Sequence, residues 1–266
     1  MRQTRFAALC SIALAALASC TPIQQRGLDP LPAPVAATAA SAPAAGPSTQ
    51  QLVAWERERN DWPNLARYRA ANAQLGDPAP GENRVVFMGN SITDGWAKRF
   101  ATDFPGKPYV GRGISGQTTP QMLARFRQDV VALKPKVVVI LAGINDIAGN
   151  TGPSTQAMIA DNIMGMTDIA KANGIRVVLS SVLPAFDFPW RRGLEPAPKV
   201  IALNAWIKAY AQGAGVVYLD YHTKMADARG GLSPEMASDG VHPTVAGYQI
   251  MAPMADAAIA EALAKR

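Results

Sequence analysis

The sequence predicts an α/β fold built on a parallel, doubly wound sheet. Five short runs rich in β-branched residues alternate with longer stretches that have helical patterns. Strands that alternate with helices form parallel sheets. The run 137–141 is continuously apolar rather than alternating, as in strands whose two faces are both covered. With 266 residues, 48% of them hydrophobic, the chain suits one domain of about 200 residues plus an additional segment.

The elements follow from these patterns in chain order. The predicted strands are 84–88, 107–110, 136–141, 175–181 and 215–219. The predicted helices are 52–74 (interrupted by Pro63), 119–133, 155–172, 199–212 and 244–264. The third of these helices is followed by Asn173-Gly174, which is typical of a helix end. In parallel sheets functional groups collect beyond the carboxyl ends of the strands, so the loops that follow the strands are the expected place for a site.

The first twenty residues predict export. Arg2 and Arg5 precede an apolar run over 6–18, which has the length of a signal-peptide core and is short for a transmembrane helix. The run ends in Leu-Ala-Ser-Cys, which resembles a bacterial lipobox whose cysteine, Cys20, is lipidated and becomes the N-terminus. The alternative is an ordinary signal peptide in which Cys20 has no role. Either interpretation exports the protein.

The composition divides the rest of the chain into a tether and a globular domain, and it excludes several classes of protein. Residues 21–51 are rich in Pro and Ala and predict an extended tether between the signal, 1–20, and a globular domain, 52–266. Two cysteines and two histidines exclude a multi-disulfide scaffold and a cysteine-rich zinc module. Loss of Arg2 and Arg5 would leave 24 basic and 20 acidic residues, a mild excess without a basic stripe. Nucleic-acid binding is therefore not indicated.

Four motifs lie at the same predicted edge of the sheet. They are Gly-Asn-Ser-Ile at 89–92, Gly-Arg-Gly-Ile-Ser-Gly-Gln at 111–117, Gly-Ile-Asn-Asp at 143–146 and Asp-Gly-Val-His-Pro at 239–243. A serine becomes a nucleophile when a base takes its proton, and an acceptor must hold that base in one tautomer. Asp239, three residues before His242, is close enough to hold its Nδ1–H, which leaves Nε2 for Ser91.

Taken together, the motifs resemble those of the SGNH/GDSL serine esterases and lipases over roughly residues 82–262. Ser91, Gly116, Asn145 and His242 occupy the four positions that give the family its name. The resemblance implies a three-layer α/β/α sandwich, flavodoxin-like, with a central parallel sheet of about five strands. It also implies a catalytic triad of Ser91, Asp239 and His242, and it requires no metal and no organic cofactor.

The same resemblance assigns an oxyanion hole and a class of substrate. Its donors would be the backbone N–H groups of Ser91 and Gly116 and the side-chain amide of Asn145. The stretches 113–119 and 142–150 resemble the branch that is similar to platelet-activating-factor acetylhydrolases or lysophospholipases. This branch implies short acyl groups, acetyl especially, on a carbohydrate, lipid or aryl alcohol.

Two positions depart from the family pattern, and one motif is misleading. Asn90 replaces the usual acidic residue before the nucleophile, which keeps the shape and loses the charge, and Gly111 stands where asparagine is frequent. Residues 111–116 also spell Gly-x-Gly-x-x-Gly, but no acidic residue follows about 20 positions later, so a dinucleotide site is not indicated. The absence of Gly-x-Ser-x-Gly argues against the other large esterase fold.

The remaining expectations concern the pocket and the alternatives. We expect Phe186, Trp190 and Arg191, in the segment 183–198 after the fourth strand, to form part of a substrate pocket; a surface loop with packed aromatics is the alternative. His222, near Asp220, is interpreted as a structural or pocket residue. The favoured hypothesis is an exported, membrane-anchored esterase that faces the periplasm or the cell exterior. A non-catalytic binding module, a thioesterase and a carbohydrate deacetylase are the alternatives.

Overall fold

The central element is a five-stranded parallel sheet. The computed structural model describes residues 46–265. The predicted signal segment, Cys20 and most of the predicted tether lie outside the described residues. The strands are β1 (Val85–Gly89), β2 (Tyr109–Gly113), β3 (Val137–Leu141), β4 (Arg176–Ser180) and β5 (Val217–Leu219). Their order in the sheet is β2-β1-β3-β4-β5, with every pair parallel.

Helices of very different lengths precede, connect and follow the strands. They are α1 (Thr49–Asn60), α2 (Arg69–Leu75), α3 (Ser91–Ala97), α4 (Phe100–Asp103), α5 (Thr119–Asp129), α6 (Ile144–Ile147), α7 (Gln156–Ala172), α8 (Pro196–Ala214), α9 (Tyr221–Met225) and α10 (Val245–Ala264). A short 3-10 turn, Val131–Leu133, follows α5. The predicted break at Pro63 lies where α1 and α2 separate.

Both faces of the sheet are covered, which confirms the predicted three-layer α/β/α sandwich. Met88 and Ile140 belong to a buried cluster with side chains of α5, α7 and α8. Phe87 and Val139 belong to a second cluster, with side chains of α3, α4 and α10, on the opposite face. Alternate residues of one strand thus enter different cores, and for this reason the central strands β1 and β3 carry no polar side chain.

The second strand lies further along the chain than predicted. It runs through Gly111 and Gly113 to pair with β1 in the register Gly89↔Gly113, whereas the prediction ended it at residue 110. A Cβ at Gly111 would lie 2.3 Å from the Cβ of Ala97, and one at Gly113 would lie 2.2 Å from the backbone nitrogen of Asp94. The glycines therefore allow α3 to pack directly on this strand.

Residues 61–75, which we call the N-terminal strap, pack against α5 and the end of β2. The side-chain amides of Gln121 and Gln128 donate to the carbonyl oxygens of Trp62 and Leu65, at 2.8 and 2.7 Å. Arg112 of β2 donates to the side-chain oxygen of Asn72 at 2.8 Å. The strap is thus bonded to the same edge of the sheet as the motif after β2. Within residues 46–265, no helix is long and apolar enough to cross a membrane.

Candidate active site

Ser91 is the first residue of α3, directly after β1. Its hydroxyl oxygen lies 2.8 Å from Nε2 of His242. The preceding residue, Asn90, is fully buried, and its side-chain oxygen accepts a hydrogen bond from the backbone N–H of Ile92 at 3.1 Å. Asn90 thereby caps the helix, as asparagine commonly does. Its side-chain nitrogen has no hydrogen-bond partner among the described residues.

His242 is held by a turn that begins at Asp239. Nδ1 of His242 lies 2.6 Å from one carboxylate oxygen of Asp239. The other oxygen accepts from the backbone N–H groups of Val241 and His242, at 2.9 and 2.8 Å. Partial burial acts to raise the pKa of Asp239, but these hydrogen bonds outweigh it and hold the pKa below its ordinary value. A carboxylate is therefore retained beside the imidazole, which favours Nδ1 as the protonated ring nitrogen.

The expected oxyanion donors come from three adjacent strands, because β1, β3 and β2 are neighbours and Ser91, Asn145 and Gly116 follow them. Gly116 has φ of +80°, a conformation that favours glycine. Asn145 is buried, and its amide nitrogen donates to the carbonyl oxygen of Gln117 at 2.9 Å, which leaves its second hydrogen available. Among residues 46–265, the backbone N–H groups of Ser91 and Gly116 donate to no protein acceptor.

A buried carboxyl group lies directly after Asn145. Asp146 accepts hydrogen bonds from the backbone N–H of Thr119 at 3.1 and 3.0 Å and from its hydroxyl at 2.6 Å. Burial raises the pKa of Asp146 to about 6, against the opposing effect of these hydrogen bonds. Asp146 thus ties the start of α5 to the segment that carries Asn145.

The expected pocket residues lie near the site but do not share one cavity. Trp190 stacks on buried Phe188 at 5.2 Å between ring centroids, and its centroid lies 6.0 Å from that of His242. Arg191 lines a cavity of about 580 Å³ between α6, α7 and α8. Phe186 lines a smaller one of about 140 Å³, together with Asp239. Of the three, Trp190 is the residue whose ring is paired with the imidazole of His242.

His222 does not take part in the hydrogen bonds that join Ser91, His242 and Asp239. Its backbone N–H donates to the hydroxyl of Ser181 at 2.9 Å, and its Nε2 is buried with no partner within the described part of the chain. Burial lowers the pKa of His222, although Asp220 acts in the opposite direction. In residues 46–265 no hydrogen bond links His222 to Ser91 or His242. These contacts fit the interpretation as a structural residue.

Two features of the site were missed by sequence reasoning. A cavity of about 230 Å³ beside Gly116 is walled in part by Asp61 and Trp62 of the strap. Arg125 of α5 is fully buried and reaches the end of β1. A signal for Arg125 existed, since it falls three residues after Met122 and so on the buried face of α5.

Comparison with known proteins finds relatives of this chain among ester hydrolases. The family model described as GDSL-like lipase/acylhydrolase matches residues 87–250. A solved GDSL-like lipase from Bacteroides thetaiotaomicron is 47% identical, with a TM-score of 0.73, and the match covers 76% of this chain and all of that one. The match to esterase TesA of Pseudomonas aeruginosa is 28% identical over 174 residues, 62% of this chain and 78% of TesA.

Of two further relatives, one is named for its substrate and the other is named as a lipoprotein. An acetylxylan esterase from Geobacillus stearothermophilus is 27% identical over 156 residues, which are 54% of this chain and 68% of that protein. The lipoprotein YqeF of Bacillus subtilis, whose activity is uncharacterised, is 32% identical over 82 residues, 29% of this chain and 33% of its own length.

Proposed function

Because the chain belongs to the GDSL-like lipase/acylhydrolase family and is a carboxylic ester hydrolase, we propose that it cleaves short acyl esters, acetyl above all, through a serine triad. In this proposal Ser91 is the nucleophile, His242 the general base, and Asp239 the residue that orients the base. The observation that carries it is the continuous arrangement from Ser91 Oγ to His242 at 2.8 Å and from His242 to Asp239 at 2.6 Å.

The proposed reaction runs in two steps. Nε2 of His242 takes the hydroxyl proton of Ser91 as Oγ attacks the ester carbonyl carbon, and the carbonyl oxygen becomes an oxyanion. Collapse of this intermediate breaks the bond to the alcohol, which leaves with the proton returned by His242. Water then attacks the acyl carbon while His242 takes its proton, the bond between that carbon and Ser91 Oγ breaks, and His242 returns the proton to Oγ. The carboxylic acid is released and free Ser91 is regenerated.

The oxyanion would be stabilised by the N–H groups of Ser91 and Gly116 and by the amide of Asn145. Their support is that the two backbone donors have no protein acceptor within residues 46–265 and that one hydrogen of the Asn145 amide is unused. Donors fixed at an oxyanion are worth about 3 kcal/mol each in the transition state. The positive φ of Gly116 and the bond from Asn145 to Gln117 fix two of them in advance.

The alcohol part of the substrate would lie next to Trp190. His242 must return its proton to the leaving alcohol, and Trp190 is the exposed aromatic ring beside His242. Its indole stacks on buried Phe188, which supports one face of the ring and leaves the other side accessible. A flat ring of this kind suits a sugar or aryl alcohol. The acetylxylan esterase among the relatives supports an acetylated carbohydrate. The branch resembling platelet-activating-factor acetylhydrolases stays a prediction.

Turnover of p-nitrophenyl acetate and butyrate by the purified protein tests the enzyme proposal. Ser91→Ala is expected to abolish turnover, whereas Ser115→Ala, which removes an exposed hydroxyl of the second motif, is the matched control. Acetate is expected to be cleaved faster than butyrate. Turnover that survives in Ser91→Ala would contradict the triad. Preference for an acyl thioester over these oxygen esters would favour the thioesterase alternative, and the lack of any turnover would favour the binding module.

We further propose that the protein is exported and anchored by a lipid on Cys20, with 1–20 as signal, 21–51 as tether and 52–266 as catalytic domain. The lipobox-like Leu-Ala-Ser-Cys and the partial match to the lipoprotein YqeF support this. Cys20→Ser is expected to move the protein from the membrane fraction to the soluble fraction of cells that express the full chain. Full retention of the variant in the membrane fraction would contradict lipid anchoring.

A further inference from the structure

One fully buried arginine links the groups that follow β1 and β2. Nη2 of Arg125 donates to the carbonyl oxygen of Gly89 at 2.9 Å, two residues before Ser91. Nε of Arg125 donates to the side-chain oxygen of Gln117 at 2.5 Å, one residue after Gly116. The planar guanidinium thus binds the end of β1, which precedes Ser91, along one edge and the segment that carries Gly116 along another.

Gln117 extends this link to the third strand. It is buried, and its carbonyl oxygen accepts the hydrogen bond from Asn145 at 2.9 Å. Its side-chain nitrogen donates to the carbonyl oxygen of Pro63 in the strap at 2.6 Å. The side chain and backbone of Gln117 therefore meet Arg125, Asn145 and the strap at once.

The charge of Arg125 is balanced locally. Its Nη1 lies 3.0 Å from a carboxylate oxygen of Asp129, which is also fully buried. The other carboxylate oxygen of Asp129 accepts from Asn72 of the strap at 2.8 Å. Because Asp129 neutralises Arg125, the pair exerts a weaker electric field at the site than a free cation would. The directional hydrogen bonds of the guanidinium are therefore its main effect on the site.

We propose that Arg125 and Gln117 are positioning residues, which fix the distance between Ser91 and the donors on Gly116 and Asn145. This inference rests on the proposed triad and oxyanion hole. Ser91, Gly116 and Asn145 follow three different strands of the sheet, and an oxyanion hole works only when its donors are fixed within tenths of an ångström of the reacting atom. The strap, which lies outside the residues matched by the family model, completes this support through Pro63 and Asn72.

The test compares two glutamine variants that each lose one hydrogen bond to the strap. Gln117→Leu removes the contacts of that side chain with Arg125 and Pro63, whereas Gln128→Leu removes only the bond to Leu65. Gln117→Leu is expected to lower kcat on p-nitrophenyl acetate about 10-fold or more with KM within about twofold, since the lost geometry acts in the transition state. Gln128→Leu is expected to keep kcat within about twofold.

Arg125→Lys separates geometry from charge, because lysine keeps the cation and loses the planar fork. It is expected to reduce kcat as Gln117→Leu does. The double variant is expected to lose less than the product of the two single effects, since both interrupt one link. Circular dichroism and thermal unfolding establish which variants are folded. If Arg125→Lys does not fold, the comparison of kcat between Gln117→Leu and Gln128→Leu still tests the positioning role.

Two results would overturn the inference. One is a folded Gln117→Leu protein with the kcat of Gln128→Leu, and the other is a folded Arg125→Lys protein with unchanged kcat. Ser91→Ala in the same assay keeps the proposed function separate. An active Ser91→Ala variant refutes the triad itself, whereas an inactive one with a fully active Gln117→Leu variant refutes only the positioning role.

Discussion

The two halves of the site are built differently. On the oxyanion side Asn145 and Gln117 are 3% and 4% exposed, and their hydrogen bonds join strands far apart in the sequence. On the base side the side chains of His242 and Asp239 are 39% and 37% exposed, and both belong to one turn, in which they are three positions apart. The first half is set by tertiary packing and the second by local sequence.

This difference predicts separate responses to substitution. A change at the exposed half should remove chemistry and leave stability nearly intact, because surface substitutions cost about 0.5 kcal/mol or less. A change at the buried half should affect both, because each lost bond leaves an unpaired polar group in the interior. Activity and unfolding measured on the same variants therefore test the comparison.

The largest expected effect is that of His242→Ala. Loss of the base should lower kcat on the order of 10⁶-fold, and the melting temperature should change by only about 2 °C. His222→Ala is the matched control, since the chain has two histidines and His222 has no bond to the proposed triad within the described residues. It should keep kcat within a few-fold. Equal loss of activity in both variants would mean that His242 has no special role.

A smaller loss is expected for Asp239→Asn. The side-chain oxygen of the new asparagine should stay with the N–H groups of Val241 and His242, which turns its NH₂ group toward Nδ1 and favours the wrong tautomer. We expect kcat to fall about 10⁴-fold.

Asp220→Asn supplies the control for this prediction, because Asp220 accepts from Thr223 three residues later in the same local pattern. It should change kcat by less than about twofold. If Asp239→Asn were as active as Asp220→Asn, the orienting role of Asp239 would be wrong.

On the buried side, Asp146→Asn should change the pH dependence of stability. The pKa of Asp146 is about 6 in the folded protein and near its ordinary value of 3.8 when unfolded. Between these values unfolding releases a proton, so rising pH favours the unfolded state and the wild type loses up to about 3 kcal/mol from pH 4 to pH 7. Asparagine keeps an acceptor for Thr119 and removes this loss.

Chemical denaturation of the wild type and Asp146→Asn at several pH values measures this effect. The unfolding free energy of Asp146→Asn, relative to that of the wild type, should increase as the pH rises from about 4 to about 6. The lowered pKa of His222 contributes equally to both proteins and cancels in the difference. Parallel curves over this range would show that Asp146 does not carry a raised pKa.

The smallest effect is expected for Trp190→Ala. Loss of an aromatic face costs about 1 kcal/mol, so kcat/KM on acetylated sugars should fall about fivefold relative to ethyl acetate. Trp206→Ala, which removes an indole stacked on Tyr210 of α8, is the control. An unchanged ranking of the two alcohols in Trp190→Ala would remove this residue from the alcohol subsite.

The sequence predicted most of what depends on neighbouring residues. The α/β class and all five strands were expected, because strands covered on both faces are apolar without interruption, as at Val137–Leu141. The contact between Asp239 and His242 was also expected, since a separation of three positions within one turn leaves few other geometries. These are local features, and local features can be read from a single chain.

The remaining features depend on how distant segments meet. The place of β1 between β2 and β3 and the packing of the strap on α5 are tertiary outcomes. The expected pocket of Phe186, Trp190 and Arg191 was divided because Arg191 turns away to bond the carbonyl oxygens of Ala148 and Gly149, at 2.6 and 2.9 Å. Nothing in the spacing of the loop residues encodes this long-range contact.

The nucleophilic role of Ser91 is tested most directly by labelling with a serine-directed phosphonate, followed by intact mass and peptide mapping. The account predicts one adduct per chain, located on Ser91, together with complete loss of p-nitrophenyl acetate turnover. Ser91→Ala should take up no label, and His242→Ala should take it up far more slowly than the wild type. A stoichiometric adduct on another residue, or continued turnover after Ser91 is fully labelled, would contradict the account.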